Sequence, residues 1–116
     1  MGRLTTHVLD TALGKPAAGL VVVLRRVGKH GSPLARVVTN KDGRVDRPLL
    51  EGQMMQAGEY ELEFEAGAYF NALGLDLPEP KFLDQVVIRF GISDPDAHYP
   101  VPLRLAPYGY ATYRGS

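Results

Sequence analysis

The residues that could do chemistry are three histidines, one arginine placed directly after a tight turn, and a chain end rich in hydrogen-bonding groups. His7 lies between Thr6 and Val8, His98 opens the last strand-like stretch, and His30 sits in a Gly/Ser/Pro loop. Imidazole can take and give a proton near neutral pH, which suits general acid–base work. Arg44 follows Asp42-Gly43, and its planar guanidinium matches a carbonyl, carboxylate or urea-like edge. The chain closes on Tyr113-Arg114-Gly115-Ser116, where hydroxyl, guanidinium and carboxylate groups gather. Each residue also has a plain structural reading. His30 is a solvated loop residue, His7 and His98 are ordinary strand residues, Arg44 is a solvated turn residue, and the tail is a frayed strand end. The spacings alone name no activity. No HxxxH, CxxC, glycine-rich phosphate loop, GxSxG or metal-spaced carboxylate cluster is present.

The elements that must position these residues are mostly strands. Residues 3–10 read as a strand with Leu4, Thr6 and Val8 on one face and Thr5, His7 and Leu9 on the other. Leu20–Val27 reads as a strand buried on both faces, and a short strand follows over about Leu34–Thr39. Lys41-Asp42-Gly43 reads as a hairpin turn, because Asp-Gly tolerates positive φ. Pro48 confines the next strand to an edge or a short piece. Gly58–Glu65 alternates strictly, with Tyr60, Leu62 and Phe64 against Glu59, Glu61, Glu63 and Glu65. Ala68–Leu75 has helical spacing and stops near Gly74. Phe82–Ile92 reads as a strand, and a closing hairpin runs from His98 through the Pro107-Tyr108-Gly109 turn to the last residue. Seven or eight short strands, one brief helix and closely spaced turns predict an all-β, two-sheet sandwich in one domain, 1–116.

Composition narrows the classes. A chain of 116 residues suits one core. Thirteen acidic and thirteen basic side chains balance without runs, which argues against nucleic acid or an anionic membrane as partner. The absence of cysteine excludes a disulfide scaffold and a cysteine nucleophile. The start, Arg3-Leu4-Thr5-Thr6-His7, has no apolar leader pattern, and no apolar run reaches the ~20 residues of a membrane helix. A cytoplasmic location is the expectation.

The residues also carry a resemblance. Leu4-Thr5-Thr6-His7-Val8-Leu9-Asp10, Gly14-Lys15-Pro16-Ala17, Thr39-Asn40-Lys41-Asp42-Gly43-Arg44, Gly58-Glu59-Tyr60, Ala68-Tyr69-Phe70 and the run from Pro107 to Ser116 resemble the 5-hydroxyisourate hydrolases. These are the transthyretin-related enzymes of urate breakdown. The closing Tyr-Arg-Gly-Ser is the specific part, since the hormone-carrier transthyretins lack it. The resemblance implies a transthyretin-like sandwich of about eight strands with one short helix. It implies a homotetramer, a dimer of dimers, with sites in a channel at the dimer–dimer interface. It implies water addition to a ring carbonyl of 5-hydroxyisourate, without metal or cofactor. Carried over position by position, the catalytic set is His7, Arg44, Tyr113 and Ser116. Arg114 joins His7, Arg44 and Tyr113 in the substrate-binding set, with His98 and Arg104 as further candidates.

The chain departs from the family pattern on one strand. The family's last hairpin usually reads His-Tyr-His-Val-Pro, and its second histidine is catalytic. Here the run is His98-Tyr99-Pro100-Val101-Pro102, and proline neither takes a proton nor donates a backbone hydrogen bond. His98 shares the face of Pro100 but lies ~7 Å away along the strand. On that face the family usually has an apolar residue, commonly leucine, where this chain has Arg104. The expectation is therefore a hydrolase slowed at Pro100. The alternative is a non-catalytic or altered-specificity binding protein for an anionic heterocycle.

Overall fold

The computed structural model describes residues 1–29 and 31–116, so the reading of His30 lies outside the described residues. The strands are β1 (Arg3–Asp10), β2 (Lys15–Pro16), β3 (Val21–Arg26), β4 (Ala35–Val38), β5 (Leu50–Glu51), β6 (Gly58–Glu65), β7 (Gln85–Ile92), β8 (His98–Ala106) and β9 (Gly109–Thr112). Among the described residues one α-helix, α1 (Ala66–Ala72), follows β6 directly, and a 3-10 turn, Gly52–Met54, follows β5. Two sheets form. One runs β2-β1-β8-β9, with β5 also paired to β1, and the other runs β4-β3-β6-β7. The architecture is the two-sheet sandwich that the alternation predicts.

Period-two patterning sets the core. In β1, Leu4, Thr6, Val8 and Asp10 turn inward, and in β8 Tyr99, Val101, Leu103 and Leu105 do the same. They pack on Val22, Leu24, Tyr60, Leu62 and Phe64 of the facing sheet. The polar residues that reach the core are all bonded. Thr6 donates to the Val101 carbonyl, Thr39 donates to Ala17 and accepts from Leu20, and the Tyr69 hydroxyl donates to Asp10 at 2.7 Å. The Asp10 bond ties α1 to the end of β1.

Several boundaries differ from the sequence reading. The helix starts two residues early, directly after β6, and no capping side chain at Glu65 marks its start. Strand β7 begins at Gln85 rather than Phe82, and Phe82 is exposed. The Lys41-Asp42-Gly43 turn forms, but it does not join two paired strands. It carries the chain from β4 in one sheet to Arg44, which bridges to His7 in the other. Only Leu50–Glu51 follows as a strand. The last strand stops at Thr112 and not at the terminus.

That early stop has a cause in β8. The ladder runs Arg104 opposite Ala111 and Leu103 opposite Thr112. The next carbonyls and amides of β8 that point toward the tail belong to Pro102 and Pro100. Neither has an N–H to donate. The tail is held instead by bonds that it donates itself: Thr112 Oγ1 to the Pro102 carbonyl at 2.7 Å, and Gly115 N–H to the Pro100 carbonyl at 2.8 Å.

Candidate active site

The candidate site lies on the outward face of the sheet containing β1 and β8. These two strands run parallel, with Arg3 opposite His98, Thr5 opposite Pro100, His7 opposite Pro102 and Leu9 opposite Arg104. Every one of these residues is on the face turned away from the core, because their neighbours in sequence are the buried set. The register thus assembles a small grid of side chains from two segments far apart in sequence.

Arg44 is brought to this grid by its turn. Asn40 Oδ1 accepts from the Asp42 and Arg44 amides, and the Gly43 amide donates to the Asn40 carbonyl. Gly43 has φ of 73°, and a Cβ there would come within 2.3 Å of the Val8 carbonyl. Only glycine lets the turn lie this close to β1. The Val8 amide then donates to the Gly43 carbonyl at 2.8 Å, and Arg44 stands opposite His7 in a single antiparallel bridge.

Two adjoining open hollows surround this bridge. One, of about 190 Å³, is lined by Thr5, His7, Arg44, Pro100, Pro102 and Ser116, among others. The other, of about 310 Å³, shares Thr5, Arg44, Pro100 and Ser116 and adds Arg3 and His98. Among the described residues, no side-chain hydrogen bond or ion pair engages Arg44, His98, Arg3 or Arg104, although each carries such groups, while the His7 imidazole meets the Asp42 backbone. Burial lowers the His7 pKa from its ordinary 6.5, and the Arg44 cation lowers it further, while the Asp42 backbone and carboxylate oppose them. The imidazole therefore tends to the neutral form at physiological pH, beside a permanent cation.

The structure separates the expected residues into two groups. His7, Arg44 and Ser116 share one hollow, and His98 joins Arg44 and Ser116 in the next. Tyr113 and Arg114 line a different, mainly apolar hollow at the open edge between the sheets, with Ile88, Phe90, Tyr99 and Val101. Arg104 is exposed on the site's face, beyond Pro102, and lines neither hollow around the bridge. Arg3 is a site residue that sequence reasoning missed. Its alternation with Leu4 put it on the same face as His7, but nothing local showed that His98 would lie beside it. Among the described residues, no group of three or more potential metal ligands comes together.

The HIUase/Transthyretin family model matches residues 4–115. The chain belongs to that family. A relative in Rhizobium meliloti (strain 1021), named 5-hydroxyisourate hydrolase 2, is 60% identical over 99% of this chain and 97% of its own. The solved structure of Klebsiella pneumoniae 5-hydroxyisourate hydrolase superposes with a TM-score of 0.83 at 37% identity, covering 100% of both chains. An (S)-allantoin synthase crystal structure superposes with a TM-score of 0.93 at 42% identity. That match covers 99% of this chain but 44% of the synthase, so this chain spans less than half the synthase's length.

Proposed function

We propose that this family member hydrolyses 5-hydroxyisourate to 2-oxo-4-hydroxy-4-carboxy-5-ureidoimidazoline. The observation that carries the reading is the His7–Arg44 bridge, with Ser116 at the same hollow. Full-length relatives that bear the hydrolase name support it.

Neutral His7 accepts a proton from water as the water oxygen bonds to a ring carbonyl carbon. Negative charge builds on the carbonyl oxygen, and the Arg44 guanidinium donates to it. The tetrahedral adduct then expels the ring nitrogen. The C–N bond breaks, the proton held by His7 passes to that nitrogen, and the new carboxyl group ionises. Ser116 positions the ring or the water, which lowers the entropy cost of bringing them together. No metal or cofactor enters this scheme.

We further propose a homotetramer in which the outward face of the β1–β8 sheet meets a second copy and closes these open hollows. Light scattering at several concentrations tests that assembly. A second reading rests on Pro100 and Arg104. Together they give the face one fewer proton-transfer group and one more cation than the family pattern, which suits binding of an anionic heterocycle without turnover. The ultraviolet decay of freshly generated 5-hydroxyisourate separates the two. A hydrolase accelerates the decay, and a binding protein shows ligand-dependent melting alone.

A further inference from the structure

The tail that delivers Ser116 lacks the support that strands normally receive. Beyond Thr112, β8 offers carbonyls but no amide donors, because Pro102 and Pro100 occupy the positions facing it. A single main-chain bond, Gly115 N–H to the Pro100 carbonyl, continues the pairing. Such a segment would open readily unless something else held it.

Arg114 supplies that hold. Its Nη2 donates to the His98 carbonyl at 2.8 Å, the next β8 acceptor after Pro102 and Pro100. Its guanidinium carbon lies 4.0 Å from the centroid of the Tyr99 ring, within cation–π range. Tyr99 is itself fixed. Its ring is buried in the sandwich, and its phenol oxygen accepts from the Ser93 and Asp94 amides and contacts Ser93 Oγ. The contacts form a chain from the Ser93–Asp94 turn through Tyr99 to Arg114, and so to Gly115 and Ser116.

We infer that Arg114 is a positioning residue, a latch that holds the C-terminal tail on β8 so that Ser116 stays in the hollow with His7 and Arg44. The inference rests on the hydrolase reading for its catalytic consequence, but the latch itself is independent of it. The side chain is occupied on the inner side of the sheet edge, so it works through the tail and not on the substrate. Gly115 fits the same account. A Cβ there would meet Pro100 Cβ at 3.0 Å, so a small residue lets the tail close onto the proline.

The test compares wild type with Arg114→Ala, Arg114→Lys and Tyr99→Leu. Amide exchange at Gly115 reports the latch, and kcat and KM for 5-hydroxyisourate report its consequence. The expected result is Gly115 exchange faster by about tenfold or more in Arg114→Ala and Tyr99→Leu. Turnover should fall in parallel, and Arg114→Lys should recover part of both. Arg114 is exposed, so its variants keep the core, and they decide the matter if Tyr99→Leu unfolds. Unchanged Gly115 exchange in Arg114→Ala overturns the latch, whatever happens to activity. Faster exchange with unchanged turnover overturns its link to the site. A wild type without turnover refutes the hydrolase reading instead, and the exchange data then decide the latch alone.

Discussion

His7 and Arg44 stand opposite each other in one isolated antiparallel bridge that spans two otherwise separate parts of the chain. The bridge is sealed by the Val8 amide on the Gly43 carbonyl at 2.8 Å. It places a base of lowered pKa next to a permanent cation, and the cation is one reason that the base is neutral.

The electrostatic part of this relationship makes a pH prediction. In the proposed mechanism His7 must be neutral to act, and its folded pKa lies below 6.5 because of burial first and Arg44 second. kcat/KM should therefore hold level through neutral pH and fall only as pH drops through that lowered value. Arg44→Gln removes one lowering influence, so the acid limb should move up toward 6.5. The same change removes the proposed oxyanion donor and should reduce kcat by ~10²–10³-fold. Arg44→Lys keeps the charge, so the limb should stay in place while kcat falls. A limb that ignores Arg44→Gln would mean that another group is the base.

The turn should be as necessary as the residues it carries. Gly43→Ala forces a non-glycine residue into φ of 73° and drives Cβ toward the Val8 carbonyl. The conformation alone costs about 1–3 kcal/mol, and the collision adds to it. Denaturant melts should show that loss, and activity should drop further than the fraction unfolded explains. Full activity at a normal midpoint would contradict the role given to the turn.

A control lies across the core. Tyr69→Phe removes the hydroxyl that bonds buried Asp10 and leaves that carboxylate with one partner fewer. The expected cost is about 1–3 kcal/mol of stability, read from denaturant midpoints, with kcat/KM unchanged in the folded fraction. Loss of activity without loss of stability would tie this contact to the site.

Pro100 gives the sharpest test of the departure from the family pattern. A positioned proton-transfer group contributes typically ~10²–10⁴-fold, so Pro100→His should raise kcat. It would also restore an amide facing the tail, where Gly115 lies, and so should slow Gly115 exchange. If neither changes, position 100 limits neither the chemistry nor the tail.

Arg104 should govern assembly rather than rate. Copies of this exposed cation that meet across a two-fold axis repel unless an anion intervenes. Light scattering should then show a tetramer that depends on salt or bound anion, and Arg104→Leu should abolish that dependence. A tetramer indifferent to ionic strength in the natural chain would count against this.

What the sequence reveals follows the range of each interaction. β1 over Arg3–Asp10 and β6 over Gly58–Glu65 are legible to the residue, because strict alternation is a local signal. The α1 start is not, because no capping side chain marks it. The parallel pairing of β1 with β8 cannot be read locally, and it alone puts Arg3, His98 and Pro100 in one place. Residue type and the resemblance single out His7, Arg44 and Ser116, and these three gather at one hollow. Arg114 is different. The resemblance puts it in the substrate-binding set, and the structure engages its side chain with Tyr99 and the His98 carbonyl, a contact no local pattern shows. The prolines at 100 and 102 were the available signal, since a tail beside them needs another anchor.

The central claim is that the His7–Arg44 pair hydrolyses 5-hydroxyisourate, and one measurement addresses it most directly. 5-Hydroxyisourate generated from urate and urate oxidase is followed in the ultraviolet with the natural chain and with His7→Ala. The account predicts accelerated decay with the natural chain, and decay at the uncatalysed rate with folded His7→Ala. Equal decay with and without the natural chain, or full acceleration by His7→Ala, would contradict it.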